Sequence, residues 1–147
     1  MLTLTFIIFL KSIMESKKII DKHGNIFWIN DKGERHRLDG PALITTKGAL
    51  KWYKNNKPHR LDGPAIKYKN GVEKWFKEGN LHREDGPAIV GGHNGNFWFN
   101  EGKLHRESGP AIEYKNGSKC WYLADVEYSE QEYKKKMRLK KINKLRK

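Results

Sequence analysis

A single cysteine, Cys120, stands in a chain of 147 residues, so neither an intramolecular disulfide nor a cysteine zinc cluster can form. That scarcity predicts a reducing compartment, intracellular and cytoplasmic. Apolar residues are also short, at 37% of the chain, which leaves one modest domain with a thin core and excludes a large enzyme core. Acids vanish from the C-terminus: its last fourteen residues hold Lys134, Lys135, Lys136, Arg138, Lys140, Lys141, Lys144, Arg146 and Lys147 with no Asp or Glu. Most of the formal net charge of +13 therefore sits in the tail, and the body is nearly balanced. Such a tail raises nucleic acid, anionic membrane or acidic protein as partners.

Long apolar runs are missing too, apart from residues 1–10, MLTLTFIIFL, which are too few to span a bilayer as a helix. No cation precedes this run and no small-residue cleavage site follows it, so secretion is not expected. Met14 opens a polar N-terminus, and the reading is that translation starts there and that residues 1–16 are a dispensable extension.

What the chain does hold is an internal repeat. His36-Arg37-Leu38-Asp39-Gly40-Pro41-Ala42 returns as His59-Arg60-Leu61-Asp62-Gly63-Pro64-Ala65, as His82-Arg83-Glu84-Asp85-Gly86-Pro87-Ala88 and as His105-Arg106-Glu107-Ser108-Gly109-Pro110-Ala111. Successive histidines are 23 residues apart, and Trp28, Trp52, Trp75, Trp98 and Trp121 keep nearly the same period. Stretches centred on tryptophan followed by Tyr or Phe have strand composition. The segment after each Gly-Pro reads as a second short strand, which Lys-Asn-Gly at 69–71 and 115–117 turns back. The pattern predicts an all-β repeat, an elongated antiparallel meander of about five 23-residue β-hairpin units over residues 17–128, with a basic C-terminal α-helix over 129–147.

These units resemble MORN repeats, β-hairpins of about this length built on an aromatic strand, a Gly-Lys turn and a following His and Gly. Trp98-Phe99-Asn100-Glu101-Gly102-Lys103-Leu104-His105 carries the likeness best. The His-Arg-x-Asp-Gly-Pro-Ala variant is similar to repeat proteins of phages and large DNA viruses. Arginine stands directly after each histidine, where the usual unit has glycine. The resemblance implies a non-catalytic scaffold or interaction module.

Four histidines invite a metal, but equivalent positions of neighbouring hairpins lie about 10 Å apart, too far to share a zinc ion. His36, His59, His82 and His105 are therefore read as bonding their own turns, and neither metal nor other cofactor is expected. Catalysis is not expected either, because a catalytic site is one asymmetric cluster and these residues come in equivalent copies. Arg37, Arg60, Arg83 and Arg106 have two readings, a structural pairing with the Asp two residues on or a row that reads anions on a partner. Asp and Gly of the motif are read as turn formers, Gly for an unusual dihedral. The five tryptophans are read as the core of a thin sheet, with base stacking as the alternative. Gly91-Gly92-His93-Asn94-Gly95 breaks the pattern and suggests a bulge or loose loop.

After Trp121 the repeat decays, with Tyr128 where histidine is due. Ser129-Glu130-Gln131-Glu132 is a capping box, which predicts a helix from about Glu130 that uses Tyr133 and Met137 to cap the ladder. The function expected is a repeat scaffold that binds another protein through its β surface. The alternatives are a nucleic-acid binder or a peripheral binder of anionic membranes, each through the basic tail, and homodimerisation through open edges is a further expectation.

Overall fold

The structure, a computed structural model, describes residues 16–92 and 95–146. Residues 1–15, His93, Asn94 and Lys147 lie outside the described residues, and with them the Met14 start and nearly all of the expected extension.

The chain is mostly β, with antiparallel strands in meander order and hairpin neighbours, followed by one helix. It divides into two compact units, Met1–Asn80 and Leu81–Lys147. The first unit holds β1 (Lys17–Ile20), β2 (Ile26–Ile29), β3 (Leu43–Ile44), β4 (Leu50–Lys51), β5 (Tyr53–Lys54), β6 (Lys57–Pro58), β7 (Ile66–Lys67), β8 (Glu73–Lys74) and β9 (Phe76–Lys77), and the division falls in β10 (Asn80–Leu81). The second holds β11 (Ile89–Gly92), β12 (Gly95–Phe97), β13 (Phe99–Asn100), β14 (Lys103–Leu104), β15 (Ile112–Tyr114), β16 (Lys119–Leu123), β17 (Val126–Tyr128) and the helix α1 (Glu130–Leu145). Within the first unit the order β1-β2-β3-β4-β7-β8 makes a meander, and within the second β11-β12-β15-β16-β17 does the same.

The tryptophan strands differ from their expected form. Trp52, Trp75 and Trp98 interrupt them, so that the residues before each tryptophan join the meander and those after it enter a separate two-stranded hairpin. Backbone hydrogen bonds hold the tryptophan on both sides. Trp52 N–H donates to the Ala65 carbonyl at 2.7 Å and Trp98 N–H to Ala111 at 2.8 Å, while the His59 and His105 amides donate to the tryptophan carbonyls at 3.2 and 3.1 Å. Trp28 is bonded in the same way, to Ala42 and His36, yet lies inside β2, where β1 pairs with the strand along its whole length.

Each small hairpin closes through two residues with positive φ, Asn55 at 50° and Asn56 at 62° in the first, the backbone twist that tight antiparallel hairpins select. Ala124 at 51° and Asp125 at 66° form the same turn between β16 and β17. That last hairpin gives the fifth unit a second strand where the sequence shows only decay.

Burial corrects the reading of the core. Ala42, Ala65, Ala88 and Ala111, the last residues of the four motifs, are each 0% exposed, with Leu43, Ala49, Ile66, Ile112, Leu123 and Tyr133 buried beside them in their respective units. Trp28, Trp52, Trp75, Trp98 and Trp121 are only half-buried. Methyl groups therefore fill the interior, and the indoles stay partly open to solvent, three of them under an arginine.

Candidate functional site: the arginine-tryptophan loops and their grooves

Each motif folds into a compact loop with a fixed division of labour. The histidine reaches forward. Glu78 N–H donates to His59 Nδ1 at 3.1 Å, Glu101 N–H to His82 Nδ1 at 3.2 Å and Ala124 N–H to His105 Nδ1 at 3.1 Å. The donor in each case is the first positive-φ residue of a hairpin turn 19 residues on, not the histidine's own turn. An accepting Nδ1 places the ring proton on Nε2. His36 is buried, and its Nδ1 lies 2.6 Å from the Asn55 side-chain oxygen and 3.3 Å from Asn55 N.

The arginine lies flat on tryptophan. The guanidinium carbons of Arg37, Arg60 and Arg106 stand 4.1, 4.2 and 3.8 Å from the ring centroids of Trp28, Trp52 and Trp98. Nε of Arg37, Arg60 and Arg83 donates to Asp39, Asp62 and Asp85 at 2.8, 2.9 and 2.7 Å. The fourth copy has Ser108 in place of Asp: Arg106 Nε donates to its hydroxyl at the longer distance of 3.4 Å, and Nη1 adds Glu113 at 2.9 Å and the Pro110 carbonyl at 3.1 Å.

The motif glycine serves this stack. A Cβ at Gly40 would meet the Arg37 guanidinium carbon at 2.9 Å, and one at Gly63 or Gly86 would meet that of Arg60 or Arg83 at 3.1 Å. None of these glycines has positive φ, so close approach, rather than the unusual dihedral expected from sequence, requires them. With side chains between 22 and 24% exposed, the arginines are chiefly cement, and an outside anion would have to compete with partners already in place.

The Arg37, Arg60 and Arg83 guanidiniums hold the carboxyls of Asp39, Asp62 and Asp85 below the usual range. A carboxyl depressed in the folded state stabilises the fold above its unfolded pKa, about 3.9 for Asp, and that contribution disappears as pH falls through the folded value. The thermal midpoint is therefore expected to fall as pH drops below about 4. The triple replacement Asp39→Asn, Asp62→Asn, Asp85→Asn should flatten that fall, and an equally steep acid limb in the triple variant would remove the pairs as its cause.

Between consecutive loops lies a groove. In the first unit it has a volume of about 380 Å³ and is lined by Arg37, Leu38, Trp52, Tyr53, Arg60 and Leu61 among others. In the second it has about 710 Å³ and includes Arg83, Glu84, Trp98, Phe99, Arg106 and Glu107. One motif position sets the character of the lip: Leu38 and Leu61 in the first groove, Glu84 and Glu107 in the second. Both leucines are exposed, Leu61 to 79%. Glu84 and Glu107 stand 3.5 and 3.6 Å from Nε2 of the preceding histidines, and Lys140 of α1 bonds to Glu107.

The helix is anchored by Tyr133, whose hydroxyl donates to the Arg106 carbonyl at 2.9 Å and accepts from Gly109 N–H at 3.1 Å. Burial pushes this phenol above its ordinary pKa. The Ser129 cap and Glu132 form the expected reciprocal box. Of the basic tail, Lys134 pairs with Glu130 at 2.6 Å and Lys136 bonds the Tyr128 hydroxyl at 2.9 Å. Lys135, Arg138, Lys141, Lys144 and Arg146 extend from α1 and its end, and all five are exposed.

Among the described residues no group of three or more His, Cys, Asp or Glu is placed to hold a metal ion, and no helix is long and apolar enough to cross a membrane. Compared with known proteins, the chain matches no family model, no curated sequence and no solved structure. Fold and loops together define a class, an all-β repeat of tryptophan-arginine loops with a C-terminal helix.

Proposed function

We propose that the chain is a non-catalytic scaffold of MORN-like repeats that binds another protein through its β surface. The supporting observation is the groove of the first unit. Leu38 and Leu61 face solvent at the tips of two rigid loops, with Trp52 and Tyr53 between them. Exposed apolar side chains on preorganised loops lose little entropy when a partner covers them. The histidines, arginines and motif glycines are meanwhile engaged in holding the loops, which leaves the variable lip position free to define the partner. The same position carries glutamate in the second unit, so each groove offers its own chemistry on a common frame.

A photo-crosslinking residue at Leu61, with a second one at the exposed Lys32 as control, tests this in the source cell. A discrete protein adduct is expected from Leu61 alone, and Leu38→Asp with Tyr53→Ala should abolish it without loss of folding by circular dichroism. Equal adducts from Lys32 and Leu61, or none from Leu61, would remove the groove as a protein site.

A further inference from the structure

We infer that the outward face of α1 docks on an anionic membrane surface, a role separate from the protein-binding groove. The helix is held in one rotational setting by Tyr133, Lys136 and Lys140, each bonded to the β part of its own unit. Ile142 follows Tyr133 by nine residues, about two and a half turns, and therefore lies on the opposite side. Leu139 and Leu145 fall about 60° to either side of Ile142. These three side chains are exposed, Leu145 to 79%. Lys135, Arg138 and Arg146 project within the same arc, and Lys141 flanks it.

Three bare aliphatic side chains would be a liability on a solubilising tail, and they gain nothing beside the phosphates of a nucleic acid, where contact is made by cations. An interface that offers negative headgroups above hydrocarbon satisfies both sets together. Leucine and isoleucine enter the acyl boundary while lysine and arginine stems bend upward to the phosphates. The docking of the opposite face keeps this one turned outward, and a single helix of this kind gives weak, reversible adsorption whose strength follows lipid charge.

Full-length protein is mixed with vesicles of pure phosphatidylcholine or of phosphatidylcholine with about one-third phosphatidylserine, and sedimentation is measured across salt. Binding is expected to the anionic vesicles and not to the neutral ones. The variant Leu139→Gln, Ile142→Gln, Leu145→Gln keeps every charge and suits a helix, and it should bind about tenfold or more weakly. Helicity by circular dichroism guards against a melted helix, and Lys135→Gln with Arg138→Gln provides a second variant that should also lose affinity. No sedimentation with anionic vesicles at low salt would overturn the inference. So would a glutamine variant that binds like the parent, or protein that prefers duplex DNA to the vesicles at equal phosphate, since either result would mark a purely electrostatic tail.

Discussion

Gly95→Ala should unfold much of the second unit. A Cβ at this position would sit 2.1 Å from the Glu113 carbonyl oxygen and 2.8 Å from the Tyr114 Cα, both backbone atoms of the neighbouring strand, and the φ of Gly95 is +124°. Nothing flexible is available to move. Either β12 separates from β15, with loss of the Gly95-Tyr114, Asn96-Glu113 and Phe97-Ile112 pairs, or the strand adopts a strained dihedral with the overlap still present. Strain and overpacking each cost about 1–3 kcal/mol, so the variant should be less stable by about 3 kcal/mol or more. Urea unfolding followed by tryptophan fluorescence measures this. Gly117→Ala is the matched control, since a Cβ there meets nothing within 4 Å although φ is +88°. If both substitutions shift the midpoint equally, backbone conformation rather than close approach is the cause.

Arg60→Lys is expected to cost nearly as much as Arg60→Ala. Lysine keeps the charge but has no flat group to lie on Trp52 at 4.2 Å and no fork to bond Asp62 at 2.9 Å while doing so. The stack and the apolar stem over the indole together account for about 1–2 kcal/mol. A double-mutant cycle with Asp62→Ala separates the parts. Asp62→Ala should cost little once Arg60 is gone, because an exposed carboxylate without its partner contributes nothing. A lysine variant that unfolds at the parental urea concentration would show that charge alone suffices.

Much of this architecture is written plainly in the sequence. The 23-residue period, the strands on either side of each Gly-Pro-Ala and the boxed start of α1 all follow from residue types with strong local preferences, and the structure contains them. Three features had no such signal. The break at Trp52, Trp75 and Trp98 leaves no trace in composition, since Trp28 and Trp121 stand in like sequence and run straight through β2 and β16. The final hairpin turns on Ala124 and Asp125, of which alanine is a poor residue for positive φ. The burial of the motif alanines in place of the tryptophans has no signal in the period, because both residue types recur with it. In the loops, the partner of Arg was legible as the Asp two residues on, because two positions along an extended chain bring such groups together. The partner of His was not, because it is a backbone amide 19 residues away.

That forward reach gives the ladder a direction. The Nδ1 atoms of His36, His59, His82 and His105 are each engaged by chain that is made later, and the amides of Arg37, Arg60, Arg83 and Arg106 likewise bond the carbonyls of Tyr53, Phe76, Phe99 and Tyr122. On the ribosome, a motif that has just emerged is therefore unfinished; its histidine and arginine contacts close within twenty further residues, and the fourth motif also waits for Tyr133. The order of synthesis and the order of completion coincide, so each motif in turn is closed by the next stretch of chain, and the last by the helix that follows it.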